Sequence, residues 1–511
     1  MIENIQIKTA LLSVSDKSEL HTLAGALAEK GVELYSTGGT EKFLRDNGFV
    51  VKSVSELTNF PEMMDGRVKT LHPMVHGGLL FRRDIPEHAA QAKEHSIQAL
   101  DLLVVNLYPF ESTLLKEGST HEEIIENIDI GGPAMLRSAG KNYEGVALLT
   151  SPSQYEDFIR ELNRNKGAIS YYTRLALAGE AFEHVAHYDR VIADYFNGNK
   201  KIRLRYGENP HQSATVSGIS LDKLYHQLWG KELSYNNYLD SSASLFLIGE
   251  FLDSDKAVVG IIKHTNPCGI AEGKNILDAF EQAFSTDTES PFGGIIIMNQ
   301  ECSESLALRV NEFFSEVILA PSYHEKALEI LKKKKDRRLL SYDIAELRKQ
   351  IAQGKDIRSI VGGLLEQESD NQLFRNAEMK SVTKRATSEE EREGLLFAWK
   401  ICKHVKSNAI VYVKSDGGFA RTIGIGCGQT SRVASSRLAI SNAKRFGHSL
   451  AGSLVASDAF FPFADGLIEA ADAGAIAVIE PGGSVRDEEV IRTAEERNIS
   501  LLMTGMRHFK H

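Results

Sequence analysis

Short apolar runs that alternate with helical stretches constrain this chain more than any other feature of its sequence. TALLSV from Thr9 reads as a buried strand, and Leu20, Leu23, Ala24 and Leu27 then recur at helical spacing before Gly31 closes the helix. VELYS, a turn at STGG and the helix TEKFLRDNG repeat the unit, and DLLVVNL from Asp101 and GVALLT from Gly145 supply further strands. Strands joined through helices run parallel, and runs this apolar have to be covered on both faces. The prediction is an α/β fold built on a parallel sheet.

The helical stretch YYTRLALAGEAFEHVAHYDRVIADYF runs out at Asn197-Gly198-Asn199, where the polar and basic KKIRLRYGENPHQ takes over. That change puts a boundary near residue 200 and predicts two domains, 1–199 and 200–511. Strand and turn signals recur beyond it in VVGIIKHTNPCG, SPFGGIIIMN, SNAIVYVK, TIGIGCGQTSR, GSLVASDAFFPFADG and AIAVIEPGG, so the second part is α/β as well. SPFGGIIIMN and FFPFADGLIEAADAGAIAVIEPGG each pair an aromatic-Pro turn with an apolar strand, which suggests an internal duplication. KKKKDRR, Lys332 to Arg338, reads as a solvated charge run.

Composition narrows the partners. A formal net charge of -10 argues against nucleic-acid binding, which normally leaves a basic footprint. The four cysteines, Cys268, Cys302, Cys402 and Cys427, lie far apart without a CxxC pair, against a disulfide framework and a thiolate zinc site. The N-terminus has no signal-like pattern, and no apolar run approaches the roughly 18 residues of a spanning helix. A cytoplasmic protein without a membrane partner is expected.

Two constellations of reactive residues stand out. In the first, Ser13-Val14-Ser15-Asp16-Lys17 and Ser36-Thr37-Gly38-Gly39-Thr40 each sit where a strand gives way to a helix. In a parallel sheet both fall on one edge, where helix N-termini offer N–H groups and partial positive charge to a phosphate. Capping explains either turn alone; two of them with a lysine favour phosphate. DGRVKTLHPMVHGG then crowds Arg67, Lys69, Thr70, His72 and His76 into what reads as a packed loop with its polar groups aimed at a ligand. Tyr108 follows a strand, and Asp129 precedes Gly131-Gly132-Pro133, where Pro133 suits a first helical turn and the glycine N–H groups suit an oxyanion hole. Lys69, Tyr108, Asp129 and Lys141 are candidate acid-base groups, with purely structural roles equally open for the Asp and Tyr.

The second constellation is GIIKHTNPCGIA. An apolar run, Val258 to Ile262, ends in Lys263-His264 and is expected to turn through Thr265-Asn266-Pro267-Cys268-Gly269. Cys268 as a nucleophile has no thiolate-lowering neighbour in sequence. A zinc deaminase needs H-x-E and P-C-x-x-C, but position 266 is Asn and position 271 is Ala. A satisfied core histidine and a proton-handling pair both remain, the latter with His264 accepting a proton and Lys263 holding developing negative charge. Arg205, Tyr206, Asn408, Gln429, Arg432, Phe460, Phe461, Phe463 and Asp465 could grip a flat heterocycle beside them, although core packing also explains the aromatic cluster. The glycines of IGIGCG are a weak dinucleotide signal.

LLSVSDK, STGGT, DGRVKTLHP, NLYPF, NIDIGGP, LRYGENPHQ, KHTNPCG, SPFGG, GQTSR and SDAFFPFAD occur in one order along the whole chain. In this the sequence resembles the bifunctional purine-biosynthesis family that is both phosphoribosylaminoimidazolecarboxamide (AICAR) formyltransferase and IMP cyclohydrolase. The resemblance implies a methylglyoxal-synthase-like N-terminal cyclohydrolase domain and a C-terminal transformylase of two cytidine-deaminase-like subdomains without zinc. It implies a homodimer whose transformylase sites draw on both subunits.

By the same resemblance, AICAR is held by Arg205, Tyr206, Gly293, Asn408, Arg432, Phe460 and Arg507, with an acidic contact expected at Glu316. The co-substrate 10-formyltetrahydrofolate lies near Phe463 and Asp465. His264 would take the proton of the attacking 5-amino group, and Lys263 would stabilise the oxyanion. In the cyclohydrolase, Ser13, Ser15, Lys17, Ser36, Thr37, Gly38, Arg67 and Thr70 match contacts to formyl-AICAR or IMP, while Lys69, Tyr108, Asp129 and Lys141 match the acid-base groups; no metal takes part. Cys427 in place of Ala and Ser18-Glu19 in place of Thr-Gly depart from the family pattern, and 325–375 carries none of its motifs. The competing expectation is an N-terminal phosphate-binding regulatory module joined to a deaminase-like C-terminal enzyme.

Overall fold

The apolar runs of the N-terminal part assemble into a single parallel sheet. The computed structural model describes residues 4–61, 63–116, 118–198, 202–218, 221–374 and 379–511. It divides into two units, Met1–Asn199 and Lys200–His511, and the junction residues 199–201 lie outside those described. The first unit is carried by β1 (Thr9–Val14), α1 (Leu20–Glu29), β2 (Glu33–Ser36), α2 (Gly38–Asp46), β3 (Val51–Ser53), α3 (Pro73–Leu80), β4 (Leu102–Asn106), α4 (Gly131–Lys141), β5 (Ala147–Leu149) and α5 (Tyr171–Phe196). The strand order is β3-β2-β1-β4-β5, parallel throughout. Successive residues of the central strands, Leu11-Leu12 and Leu103-Val104, are buried on both faces, which is why these runs are apolar rather than alternating. The connection reverses direction between β1 and β4, and their C-terminal ends open the crevice where such sheets bind ligands.

Two local expectations are corrected. STGG does not precede the helix as a turn: α2 begins at Gly38, with Thr37 as its extended N-cap. HPMVHGG is not a loop either. Pro73 occupies the first turn of α3, His72 Nδ1 accepts the Met74 N–H at 3.2 Å, and His76 lies within the helix, 2.9 Å from Ser138 Oγ. Proline's fixed φ and missing N–H suit that first turn, and the two glycines disguised the rest.

In the second unit the described elements used below are α6 (Tyr235–Gly249), β6 (Ala257–Lys263), β7 (Asn266–Gly273), α7 (Ile276–Thr286), β8 (Ile295–Met298), β9 (Val317–Ala320), β10 (Arg338–Tyr342), α8 (Glu389–Cys402), β11 (Ile410–Asp416), β12 (Phe419–Gly426), α9 (Arg432–Arg445), β13 (Ser453–Ser457), α10 (Asp465–Ala473), β14 (Ala475–Glu480) and β15 (Ser500–Met503). With the strands Tyr225–Trp229 and Lys380–Ser381 at its two edges, a twelve-stranded sheet runs β10-β9-β8-β6-β7-β12-β11-β13-β14-β15 between them. This is one pattern twice over. In each half an antiparallel hairpin, β6-β7 or β11-β12, adjoins an antiparallel third strand and then two parallel ones. The halves meet where β7 pairs with β12 at Ala271 and Arg421. Duplication is therefore visible in the topology, but the stretches that look alike are not equivalent: SPFGG leads into β8, the third strand of its half, whereas FFPF follows the third strand, β13.

Two further readings change. The glycines of IGIGCG serve packing, since a Cβ at Gly426 would stand 1.9 Å from the Ser435 carbonyl oxygen where β12 crosses α9. The KKKKDRR run is only partly solvated, because Arg337 is buried and donates to the Val310 and Phe313 carbonyls at 3.2 and 3.0 Å and to Asn311 Oδ1 at 3.2 Å. Burial pulls its pKa down to about 10. Arg337→Ala leaves Asn311 Oδ1 without its donor and takes one of two donors from each carbonyl, since Lys334 Nζ also reaches Phe313 and the Phe313 N–H reaches Val310. It is expected to destabilise the unit by about 2 kcal/mol. Chemical denaturation reads this directly; a loss below about 1 kcal/mol would show that water replaces the guanidinium freely. No helix among the described residues is long and apolar enough to cross a membrane.

Candidate active sites

The crevice at the ends of β1 and β4 is a cavity of about 530 Å³. Ser13, Ser15, Lys17, Thr37, Arg67, Lys69, Thr70, Tyr108 and Asp129 all line it, together with Asn106 and Glu126, to which the sequence reading gave no role. Thr37 spends its hydroxyl on Ser13, 2.9 Å away, and makes no side-chain cap, so the first N–H groups of α2 are left for a ligand. Gly38 lets Lys69 come close: a Cβ there would lie 3.2 Å from its Nζ. Asn106 Oδ1 gathers the Ser15 and Asp16 N–H groups at 2.6 and 2.8 Å and fixes the β1 turn. Arg67 is paired with Glu126.

Asp129 is the partly buried acid of this cavity. Its Oδ1 accepts the Gly132 N–H at 2.8 Å, and Tyr188, donating to the Asn127 carbonyl at 3.1 Å, takes the Asp129 N–H at 2.8 Å. Burial pushes its pKa up, against the backbone N–H groups of Gly132, Tyr108 and Gly131 and the charge of Lys69. The glycine turn expected to form an oxyanion hole thus serves Asp129 itself. Ser36 is fully buried, with its hydroxyl on the Leu12 carbonyl at 2.8 Å, and does not line the cavity. Lys141 is not brought to it within the chain: it ends α4, roughly 15 Å from Gly131 at 1.5 Å per residue, and lines a separate cavity with Arg137 and Phe182.

In the second unit, Lys263 and His264 sit at the tip of the β6-β7 hairpin. The turn is shorter than expected. Lys263 pairs with Asn266, so only His264 and Thr265 lie between the strands, at φ of 52° and 63°, and Pro267 to Gly269 belong to β7. Both central residues are left-handed, as a tight hairpin requires, although neither is glycine and Thr265 is β-branched. Strain of this kind needs holding. Asp240 on α6 supplies it, accepting the Thr265 N–H at 2.8 Å, and burial raises its pKa despite that bond. Asn266 donates to the His264 carbonyl at 3.1 Å and accepts the Lys406 N–H at 3.0 Å, tying the tip to the Asn408 turn of the other half.

His264 is exposed, which removes the reading as a satisfied core histidine. Lys263 Nζ is held by the Phe292 carbonyl at 3.1 Å, beside Gly293. Cys268 is pushed up to about 12 by burial and is not a thiolate. Glu316 already accepts from Asn237 at 3.0 Å and Arg338 at 3.3 Å. The loop of Arg205, whose guanidinium lies 5.5 Å from the Tyr206 ring, reaches the start of α6 through Asn236 and Glu208.

Around Asn408 the chain collects Arg432 and Arg507. Arg432 pairs with buried Asp458 at 3.1 Å and donates to the Ala459 carbonyl at 3.2 Å, next to Phe460. Both arginines address the Phe509 ring, at 5.7 and 4.7 Å, a residue that sequence reasoning missed because only the fold brings the C-terminal segment here. Phe461 is core, whereas Phe463 is half-exposed under Arg486 at 4.5 Å and Asp465 opens α10. No contact within the chain joins Phe463 or Asp465 to Lys263 among those described.

Comparison with known proteins agrees with this two-part chemistry. A family model described as AICARFT/IMPCHase bienzyme matches residues 139–442, and one described as MGS-like domain matches 19–134. The bifunctional purine biosynthesis protein PurH of Chlorobium phaeobacteroides (strain BS1) is 50% identical over 99% of both chains. That of Roseobacter denitrificans is 47% identical over 100% of both. The chain belongs to the AICARFT/IMPCHase bienzyme family and is a bifunctional AICAR formyltransferase and IMP cyclohydrolase of purine biosynthesis.

Proposed function

We propose that the two activities divide between the two units, with cyclisation in 1–199 and formyl transfer from 10-formyltetrahydrofolate in 200–511. The observation that carries the second assignment is the pinned, strained His264-Thr265 turn, which presents an imidazole beside an ammonium. The 5-amino nitrogen of AICAR attacks the formyl carbon, His264 takes its proton, and Lys263 stabilises the oxyanion before the bond to the folate nitrogen breaks and that nitrogen takes up a proton from the imidazolium to leave as tetrahydrofolate. Arg205, Tyr206, Gly293, Asn408, Arg432, Phe460 and Arg507 hold AICAR, and Phe463 and Asp465 hold the folate. In the first unit the carboxamide nitrogen of formyl-AICAR attacks the formyl carbon and water leaves, assisted by Lys69, Tyr108 and Asp129.

On this reading the enzyme is a cytoplasmic homodimer that needs no metal, and the partner copy completes the transformylase site toward Phe463. Chromatography of the full chain with AICAR and 10-formyltetrahydrofolate tests it: IMP and tetrahydrofolate should appear in equal amounts. Failure to cyclise supplied formyl-AICAR would remove the assignment of the first unit. Asp240→Ala should lower transformylase kcat by roughly 10- to 100-fold through loss of positioning, with the KM for AICAR changed less than about threefold. A wild-type kcat in that variant would show that the turn holds itself.

A further inference from the structure

Glu480 ends β14, and no step above uses it. It is fully buried. Its Oε2 accepts the Phe461 N–H at 2.7 Å, and its Oε1 is buried without a hydrogen-bond partner among the described residues. An ionised carboxylate would be poorly placed here. Of the charged groups that face it, Asp487 opposes ionisation, and Arg432 favours it but is paired with Asp458. Burial is the largest influence and pushes its pKa up to about 8, so that Glu480 is a neutral acid at neutral pH.

The residue it grips is the anchor of the aromatic turn. Phe461 is buried, and its ring lies so close to Gly466 that a Cβ there would stand 2.4 Å from it. Gly466 is the second residue of α10, directly after Asp465. Phe460, Phe463 and Asp465 are therefore all within four positions of a backbone held on one side by Glu480 and on the other by the packing of its own ring.

We infer that Glu480 is a positioning residue for formyl transfer, holding the Phe461 backbone so that Phe460 meets AICAR and Phe463 and Asp465 meet the formyl donor. The inference rests on the assignment of that turn to the transformylase site. Its pH dependence has a definite sign. The native group keeps its proton up to about 8, whereas the unfolded one releases it near 4.5. The contribution is thus whole below the lower value and is lost as pH rises through the upper one.

The test compares wild type, Glu480→Gln and Glu480→Ala from about pH 6 to pH 9, following formyl transfer and, in the same preparations, cyclisation of supplied formyl-AICAR. Ionisation puts charge on Oε1, which has no donor among the described residues and faces Asp487, so the carboxylate should turn away from the Phe461 N–H. Wild-type transformylase kcat/KM should therefore stand about tenfold below its plateau one pH unit above the Glu480 midpoint. Glu480→Gln, which still offers the Phe461 N–H an oxygen and cannot ionise, should hold its rate across that range. Glu480→Ala should raise the KM for the formyl donor at every pH, and cyclisation should follow one profile in all three. If the alanine variant does not fold, thermal unfolding decides: the wild-type Tm should fall more steeply with pH than that of Glu480→Gln. An identical alkaline fall in wild type and Glu480→Gln overturns the inference. A wild-type protein that cyclises but never transfers a formyl group overturns the transformylase assignment, and the inference with it.

Discussion

Lys263→Ala is expected to lower the kcat of formyl transfer by roughly 100- to 1,000-fold, the scale seen when one preorganised oxyanion donor is removed. Lys263 is the last residue of a strand whose preceding residues are buried, and its ammonium is held 3.1 Å from the Phe292 carbonyl, so it does not have to be ordered when substrate arrives. Charge develops on the formyl oxygen only as the amine attacks. Removing the ammonium therefore acts on the transition state, and the KM for AICAR should stay within about threefold. Cyclisation of supplied formyl-AICAR, read in the same cuvette, should proceed at the wild-type rate because the residues proposed for it lie in the other unit. Lys263→Met keeps much of the stem and loses the charge, and should fail equally. A variant retaining more than about a tenth of the wild-type rate would take Lys263 out of the chemistry.

The parallel sheet of the first unit was legible because its strands are buried on both faces and therefore continuously apolar, as Leu11-Leu12 and Leu103-Val104 show. Helix α3 was not, because Pro73, Gly77 and Gly78 are loop signals until a histidine cap and packing against α4 decide the matter. A Cβ on Gly78 would stand 2.4 Å from the Gln98 carbonyl oxygen, so that glycine serves a close approach rather than a turn. Lys263 and His264 were legible as a pair, since two ionisable groups at the end of an apolar run are conspicuous. Asp240, Asn266 and Glu480 were not: each acts across a distance in sequence, on the backbone of Thr265, Lys406 and Phe461 respectively. Lys141 shows the converse. It stands only twelve residues from Asp129 in sequence, but a straight helix carries it away from the cavity, and spacing along a chain does not measure distance across a fold.

Lys69→Ala should turn the enzyme into a producer of formyl-AICAR. The ammonium lies at the start of α2, close enough to Gly38 that a Cβ there would meet it at 3.2 Å, and its charge opposes the burial that raises Asp129. Its removal takes away a donor to the carbonyl under attack and shifts Asp129 further toward its neutral form, so both acid-base partners suffer from one change. Acid-base assistance is worth about 100- to 10,000-fold, while holding nucleophile and formyl carbon in one molecule supplies much of the remaining acceleration. Cyclisation should fall by about 100-fold or more within that range and formyl transfer should continue, so chromatography should show formyl-AICAR exceeding IMP where wild type shows the reverse. Asp129→Asn should give the same pattern, since the amide can still accept the Gly132 N–H but no longer exchanges a proton. Mixing Lys69→Ala with Lys263→Ala should then restore IMP, because the intermediate released by one variant is the substrate of the other. A mixture that forms no IMP, from two variants each active in its remaining step, would mean that the two reactions cannot be separated and that Lys69 does not act in cyclisation alone.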